Sequence, residues 1–232
     1  MEEIIKFLTP RISKDGYPII AASGVIAVLG LMFFDKLGIL LLIGFVFCVY
    51  FFRDPERVTP IDKNFVVSPA DGVVSAIERN VQYPEELGVG DKVGTRVSIF
   101  LNVFNVHVNR IPVSGIVVKE SYRPGKFINA SLDKSSKDNE RQSVLINTID
   151  GKEVAVVQIA GLIARRIISR VKDGDNVNCG TRYGIIKFGS RLDVFLPESI
   201  EPQVLIGQTM VGGETLIANL SGEQKVLESS ID

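Results

Sequence analysis

Three separated positions carry groups able to exchange protons or attack a carbonyl. They are Asp71 in Ser68-Pro-Ala-Asp-Gly72, His107 in Val106-His-Val-Asn-Arg-Ile-Pro112, and Ser190 in Lys187-Phe-Gly-Ser-Arg-Leu-Asp193. Together they supply an acid, a base and a hydroxyl, the groups that nucleophilic catalysis needs. His107 is the sole histidine, so acid–base chemistry near neutral pH falls on one residue, and we expect no zinc site of the multi-histidine kind. Spacing alone leaves plainer readings open. A lone histidine between valines is more often a hydrogen-bonded structural residue, and an aspartate before glycine is often only a turn former.

Gly189-Ser190 allows a sharper reading, because glycine before serine permits close approach and unusual backbone angles where the peptide bond itself reacts. In that chemistry the Ser190 hydroxyl, deprotonated by a His–Asp pair, attacks the Gly189 carbonyl and turns the amide into an ester. β-Elimination then breaks the chain, and the dehydroalanine left at 190 hydrolyses to a pyruvoyl group with loss of ammonia. A ketone of this kind forms a Schiff base with an amine and accepts the electrons released when carbon dioxide leaves.

The elements that must position these residues are mostly short and β-rich. Gly72–Ile77, Arg96–Phe104, Ile116–Ser121, Gln142–Asn147, Glu153–Ile159, Tyr183–Phe188, Leu192–Leu196 and Thr215–Leu220 are strand candidates, separated by Gly, Asp, Asn and Pro. Unbroken strand alternation over Ile99–Ile111 would place Asn105, His107 and Asn109 on one face. Leu162–Val171 is ambiguous between helix and strand, and Arg123–Arg141 is a long polar loop, either a solvated excursion or a cover for the site. The expected fold is mainly β: a single sandwich or barrel-sandwich domain over residues 61–232.

Ahead of it, Tyr17–Phe34 and Leu37–Phe52 are apolar runs interrupted by Asp35 and Lys36. At roughly 1.5 Å per helical residue they reach about 24–27 Å, a little short of the hydrocarbon core. One continuous helix would bury both charges at about 2.5–3.5 kcal/mol each, so a hairpin over 17–52 is expected. Lys6, Arg11 and Lys14 before the first run, and Arg53 and Arg57 after the second, put residues 1–16 and the catalytic domain on the cytoplasmic side of the cell membrane. Residues 53–60, with two prolines, read as the linker. A second apolar run directly behind the first is wrong for a cleaved signal peptide.

A net charge of −1 gives no electrostatic reason to expect nucleic acid as a partner. Cys48 lies in an apolar run and Cys179 in a distant turn, so no disulfide is expected and a reducing compartment fits.

Four segments carry a resemblance to a known family: Tyr50-Phe-Phe-Arg-Asp-Pro-Glu-Arg-Val-Thr-Pro60, Ser68-Pro-Ala-Asp-Gly72, Phe100-Leu-Asn-Val-Phe-Asn-Val-His-Val-Asn-Arg-Ile-Pro112, and Gly184-Ile-Ile-Lys-Phe-Gly-Ser-Arg-Leu-Asp-Val-Phe-Leu-Pro197. In this order they resemble the short, prokaryotic phosphatidylserine decarboxylases, and the likeness extends to the apolar hairpin, to Pro124-Gly-Lys-Phe-Ile-Asn-Ala130 and to Asn139-Glu-Arg141. It implies that Ser190 becomes the covalent pyruvoyl cofactor, that Gly189–Ser190 is the cleavage site, and that His107 with Asp71 activates Ser190. The products would be a large chain, 1–189, and a small chain of 43 residues that stay together. The longer enzymes of the family carry Leu-Gly-Ser-Thr around the serine, where this chain has Phe-Gly-Ser-Arg.

The implied substrate is phosphatidylserine in a membrane, converted to phosphatidylethanolamine and carbon dioxide. An ether-linked serine lipid would serve the same chemistry. Candidate partners for the lipid phosphate are Arg165, Arg166 and Lys126, with Lys134 and Arg191 also available. Open strand edges would permit a homodimer. Two rivals come from other classes: a membrane-tethered serine hydrolase, which lacks its Gly-x-Ser-x-Gly elbow here, and a non-catalytic carrier module, which lacks a modifiable lysine between methionines.

Overall fold

The computed structural model describes residues 11–125, 139–161, 166–187 and 190–222. The chain divides into two units, Met1–Glu56 and Arg57–Asp232, so residues 57–60 group with the second.

In the first unit, β1 (Arg11–Ile12) pairs with β2 (Arg53–Asp54), closing the ends of two helices, α1 (Tyr17–Phe33) and α2 (Asp35–Phe51). Pro18 falls at the start of α1, where its missing N–H costs nothing. The helices break at Phe34, whose backbone is extended. A Cβ on Gly38 would lie 2.7 Å from the Gly30 carbonyl carbon, so two glycines let the helices meet backbone to backbone. The outer surface stays apolar and exposed, as at Val28, Met32, Phe33, Leu40 and Ile43. Lys14–Phe33 is long and apolar enough to cross a membrane; Lys36–Phe51 is apolar but shorter.

The second unit is mainly β, as expected. Its strands are β3 (Phe65–Val67), β4 (Gly72–Gln82), β5 (Val93–Leu101), β6 (Val108–Arg110), β7 (Gly115–Arg123), β8 (Arg141–Asn147), β9 (Glu153–Ala160), β10 (Ile167–Ser169), β11 (Asn176–Val177), β12 (Arg182–Ile186), β13 (Ser190–Pro197), β14 (Thr209–Met210) and β15 (Leu216–Asn219). Eight form one antiparallel sheet in the order β11-β7-β8-β9-β13-β5-β4-β14, beside a three-stranded sheet, β10-β12-β6, and a pair, β15-β3. Register shifts in β4, with Asn80 in the left-handed region, supply the bulges that curl the large sheet.

Both faces of the central strands are covered, which is why β9 reads as a nearly continuous apolar run. On one face Val97, Ile99 and Leu101 of β5 and Leu192, Val194 and Leu196 of β13 join Tyr183 and Ile186 of the small sheet. Each such buried side chain contributes about 1.5–3 kcal/mol. On the other face Leu145, Val157, Ile159 and Phe195 pack with Tyr83 and Leu87. This second face also holds a closed polar group. Arg141 bonds Glu86 through Nε at 2.7 Å and through its terminal nitrogen at 2.6 Å, and Ser143 Oγ donates to Glu86 at 2.7 Å.

All eight strand candidates form strands. The unbroken strand over Ile99–Ile111 does not: β5 ends at Leu101, and a turn fixed by Asn102 and Asn105 precedes β6. The part of Leu162–Val171 that is described contains β10, whereas residues 162–165, and most of the loop between Arg123 and Arg141, lie outside the described residues.

Candidate functional site

Ser190 is the first residue of β13, flanked by Leu101 of β5 and Ala160 of β9. It is fully buried, and its Oγ has no hydrogen-bond partner among the described residues. A buried, unpaired hydroxyl costs about 1–3 kcal/mol. Its neighbour Ala160 is fixed by the buried Asn139, whose amide donates to the Ala160 carbonyl at 2.7 Å. Gly189 lies outside the described residues.

His107 follows β5 by a short turn. Asn102 N–H bonds the Asn105 side chain at 2.9 Å, Phe104 N–H bonds the Asn102 side chain at 2.8 Å, and the chain enters β6 with His107 fully buried. Two backbone ties aim the segment at Ser190. Leu101 pairs with Ser190 itself, and Ile186 N–H, four residues before Ser190 on β12, reaches the His107 carbonyl at 3.3 Å. Nδ1 of the ring lies 2.9 Å from the Asn105 carbonyl oxygen. A carbonyl only accepts, so Nδ1 carries a proton, and in the neutral ring Nε2 holds the lone pair that a base requires.

Asp71 sits in a turn tied to the same segment: Arg110 N–H bonds the Pro69 carbonyl, and Val67 N–H bonds the Pro112 carbonyl, each at 2.8 Å. Its carboxylate accepts two bonds from Arg57, at 2.8 and 3.0 Å, and one from the Gly212 N–H at 2.8 Å. A Cβ on Gly212 would stand 2.9 Å from the Ala70 carbonyl carbon, so only glycine brings that N–H so close. These bonds replace the direct His107–Asp71 hydrogen bond that a simple relay requires. Asp71 is locked by Arg57 and Gly212, and Nδ1 of His107 is taken by Asn105.

Among the substrate candidates, Arg166 is exposed just before β10, and Arg165, Lys126 and Lys134 lie outside the described residues. Arg191 is not available to a phosphate. It is buried on the face opposite Ser190, as strand alternation demands, and ion-paired with Asp193 at 2.9 Å. Among the described residues no group of three or more His, Cys, Asp or Glu side chains could hold a metal.

Sequence reasoning missed Arg57, which it counted as a membrane flank, and Gly212, which carries no sequence signal. It also missed Gln158, the one polar residue inside β9 between Val154 and Ala160. A glutamine within a strand buried on both faces was the available clue.

The chain matches the family described as phosphatidylserine decarboxylase over residues 45–218. It is similar to the phosphatidylserine decarboxylase proenzyme of Ruegeria pomeroyi, at 59% identity over 75% of this chain and 80% of the relative. It is similar to that of Cereibacter sphaeroides at 50% identity, over 94% of this chain and 93% of the relative. A third relative, from Rickettsia akari, is 51% identical over the same shares. With these matches over most of its length, the chain belongs to the phosphatidylserine decarboxylase family.

Proposed function

We propose that this chain is the proenzyme of a membrane-bound phosphatidylserine decarboxylase that cuts itself between Gly189 and Ser190 and then forms phosphatidylethanolamine and carbon dioxide. The observation that carries this reading is the buried Ser190 hydroxyl without a partner, at the mouth of a strand flanked by the His107 segment. In the first step the Ser190 proton passes to Nε2 of His107, a bond forms between Oγ and the Gly189 carbonyl carbon, and the Gly189–Ser190 C–N bond breaks. The proton returns to the departing nitrogen. Loss of the Cα proton of residue 190 then expels the Gly189 carboxylate, and water releases ammonia. The keto group so produced supplies an electron sink that no ordinary side chain offers.

The residues fit that group. Residue 190 is held between β5 and β9 beside an apolar core, so its position survives the cut. His107 is the base for cleavage and afterwards a proton carrier beside the same atom. Asp71, fixed by Arg57 and Gly212, is the acidic member of the set. The helices α1 and α2 form the membrane hairpin, whose exposed apolar surface suits lipid, with the catalytic unit on the cytoplasmic side. Arg166 is kept, with Arg165 and Lys126, as a candidate for the lipid phosphate.

The test is decarboxylation of carboxyl-labelled phosphatidylserine in vesicles by the purified wild type and a Ser190→Ala variant. Release of labelled carbon dioxide by the wild type alone supports the reading; release by both overturns it.

A further inference from the structure

Beside Ser190 lies a pair of side-chain amides that the cleavage chemistry does not use. Gln158 of β9 donates through Nε2 to Asn109 Oδ1 of β6 at 2.8 Å, bridging the large sheet and the small one, and both residues are fully buried. Gln158 is opposite Leu192, two positions along the same face from Ser190, and Asn109 is two residues beyond His107. Gly184 of β12 leaves room for the pair, since a Cβ there would come within 2.9 Å of Gln158 Nε2.

This single bond leaves two groups over. Asn109 Nδ2, a donor, and Gln158 Oε1, an acceptor, are buried with no partner among the described residues. Rotating both amides exchanges their roles and leaves the same spare donor and spare acceptor. Two such orphans in a largely apolar wall, which also holds the unpartnered Tyr183 hydroxyl, are costly, and a ligand that completes them must present an acceptor and a donor close together. An α-amino acid headgroup does so, with a carboxylate and an amine on one carbon.

We propose that the Asn109–Gln158 pair is the carboxylate-recognition element of the site: the spare amide N–H holds the serine carboxylate, and the spare amide oxygen takes an N–H of the headgroup amine. The proposal rests on the decarboxylase reading and specifies how that site reads its substrate. Its chemistry suits the reaction. Arginine or lysine would stabilise the carboxylate anion in the ground state and oppose its loss, whereas a neutral amide orients it at little such cost. The product lacks the carboxylate, loses that bond, and is released. All three side chains are buried in the uncut chain, so substrate enters only after scission makes residue 190 a chain terminus.

The test uses the mature two-chain protein in detergent, as wild type and as Asn109→Leu and Gln158→Met variants. Each is incubated with phosphatidylserine or with phosphatidylethanolamine in mixed micelles, reduced with cyanoborohydride, and read by the mass of the small chain. The expected result is self-cleavage in all three and trapping of phosphatidylserine weakened by about ten- to a hundredfold in both variants, as for one hydrogen bond to a charged group. Phosphatidylethanolamine should be trapped as by wild type in Asn109→Leu and less well in Gln158→Met, which also loses the amine contact. Equal trapping of both lipids in the Asn109→Leu variant, or equal loss of both there, overturns the proposal. An Asn109→Asp variant is included in case the leucine chain fails to fold: its added charge should depress phosphatidylserine trapping selectively, and unchanged selectivity would also overturn the proposal. Failure of the wild type to trap either lipid would instead strike the decarboxylase reading beneath it.

Discussion

The two faces of the large sheet bury their main polar groups differently. On one, Glu86 is closed by short bonds from Arg141 and Ser143, although the Ser98 hydroxyl on that face has no partner among the described residues. On the other, across the same strands, Ser190 Oγ, Asn109 Nδ2 and Gln158 Oε1 are buried without partners among the described residues. A satisfied buried ion pair holds the sheet together, while unsatisfied groups withdraw stability from it. The difference sets a face built around one closed ion pair apart from the face to which we assign the chemistry.

The largest expected effects come from the chemical face. Ser190→Ala leaves the chain uncut with no decarboxylation, while its melting temperature stays level or rises, because an orphan hydroxyl is removed. His107→Ala slows self-cleavage by about 10²–10⁴-fold, the usual worth of a positioned base, measured as precursor remaining on a denaturing gel. Normal cleavage of that variant would remove His107 from the mechanism.

Next come the residues that lock Asp71. Asp71→Asn and Arg57→Ala should each slow cleavage, and the double variant should be little worse than either, with a coupling of about 1–2 kcal/mol, because the two act as one unit. Additive losses would mean that they act separately.

The closed face should respond in stability alone. Glu86→Ala strands Arg141 and should cost about 3 kcal/mol in denaturant unfolding while the chain still cuts itself. The smallest effect is on pH. Burial by itself would raise the Glu86 carboxyl, but hydrogen bonds from Arg141 and Ser143 outweigh it and hold the group below its ordinary value. A carboxyl lowered in the folded state contributes stability above its unfolded value, about 4.3, and that contribution fades as pH falls through the lower, folded one. Wild type should therefore lose more stability than Glu86→Gln on going from pH 6 to pH 3.

Much of this was legible in the sequence. Eight strands follow from β-branched runs between Gly, Asp and Pro, and Ser190, His107 and Asp71 stand out by residue type and motif. What escaped depends on contacts between distant segments. Arg57 looks like a membrane flank until it meets Asp71, and Gly212 has no side chain to announce that its N–H closes the same carboxylate. The turn at Asn102–Asn105 was hidden for a local reason: asparagine side chains bond the backbone and stop a strand that alternation alone would have continued. Strands as short as β6 and β10 carry too few residues for any period to show.

The central claim is that Ser190 becomes an α-keto acyl terminus. The intact mass of the purified wild type tests it most directly. The account predicts two chains, the smaller spanning residues 190–232 and lighter by one ammonia than a peptide beginning with serine. A single uncut chain that still decarboxylates phosphatidylserine would contradict it.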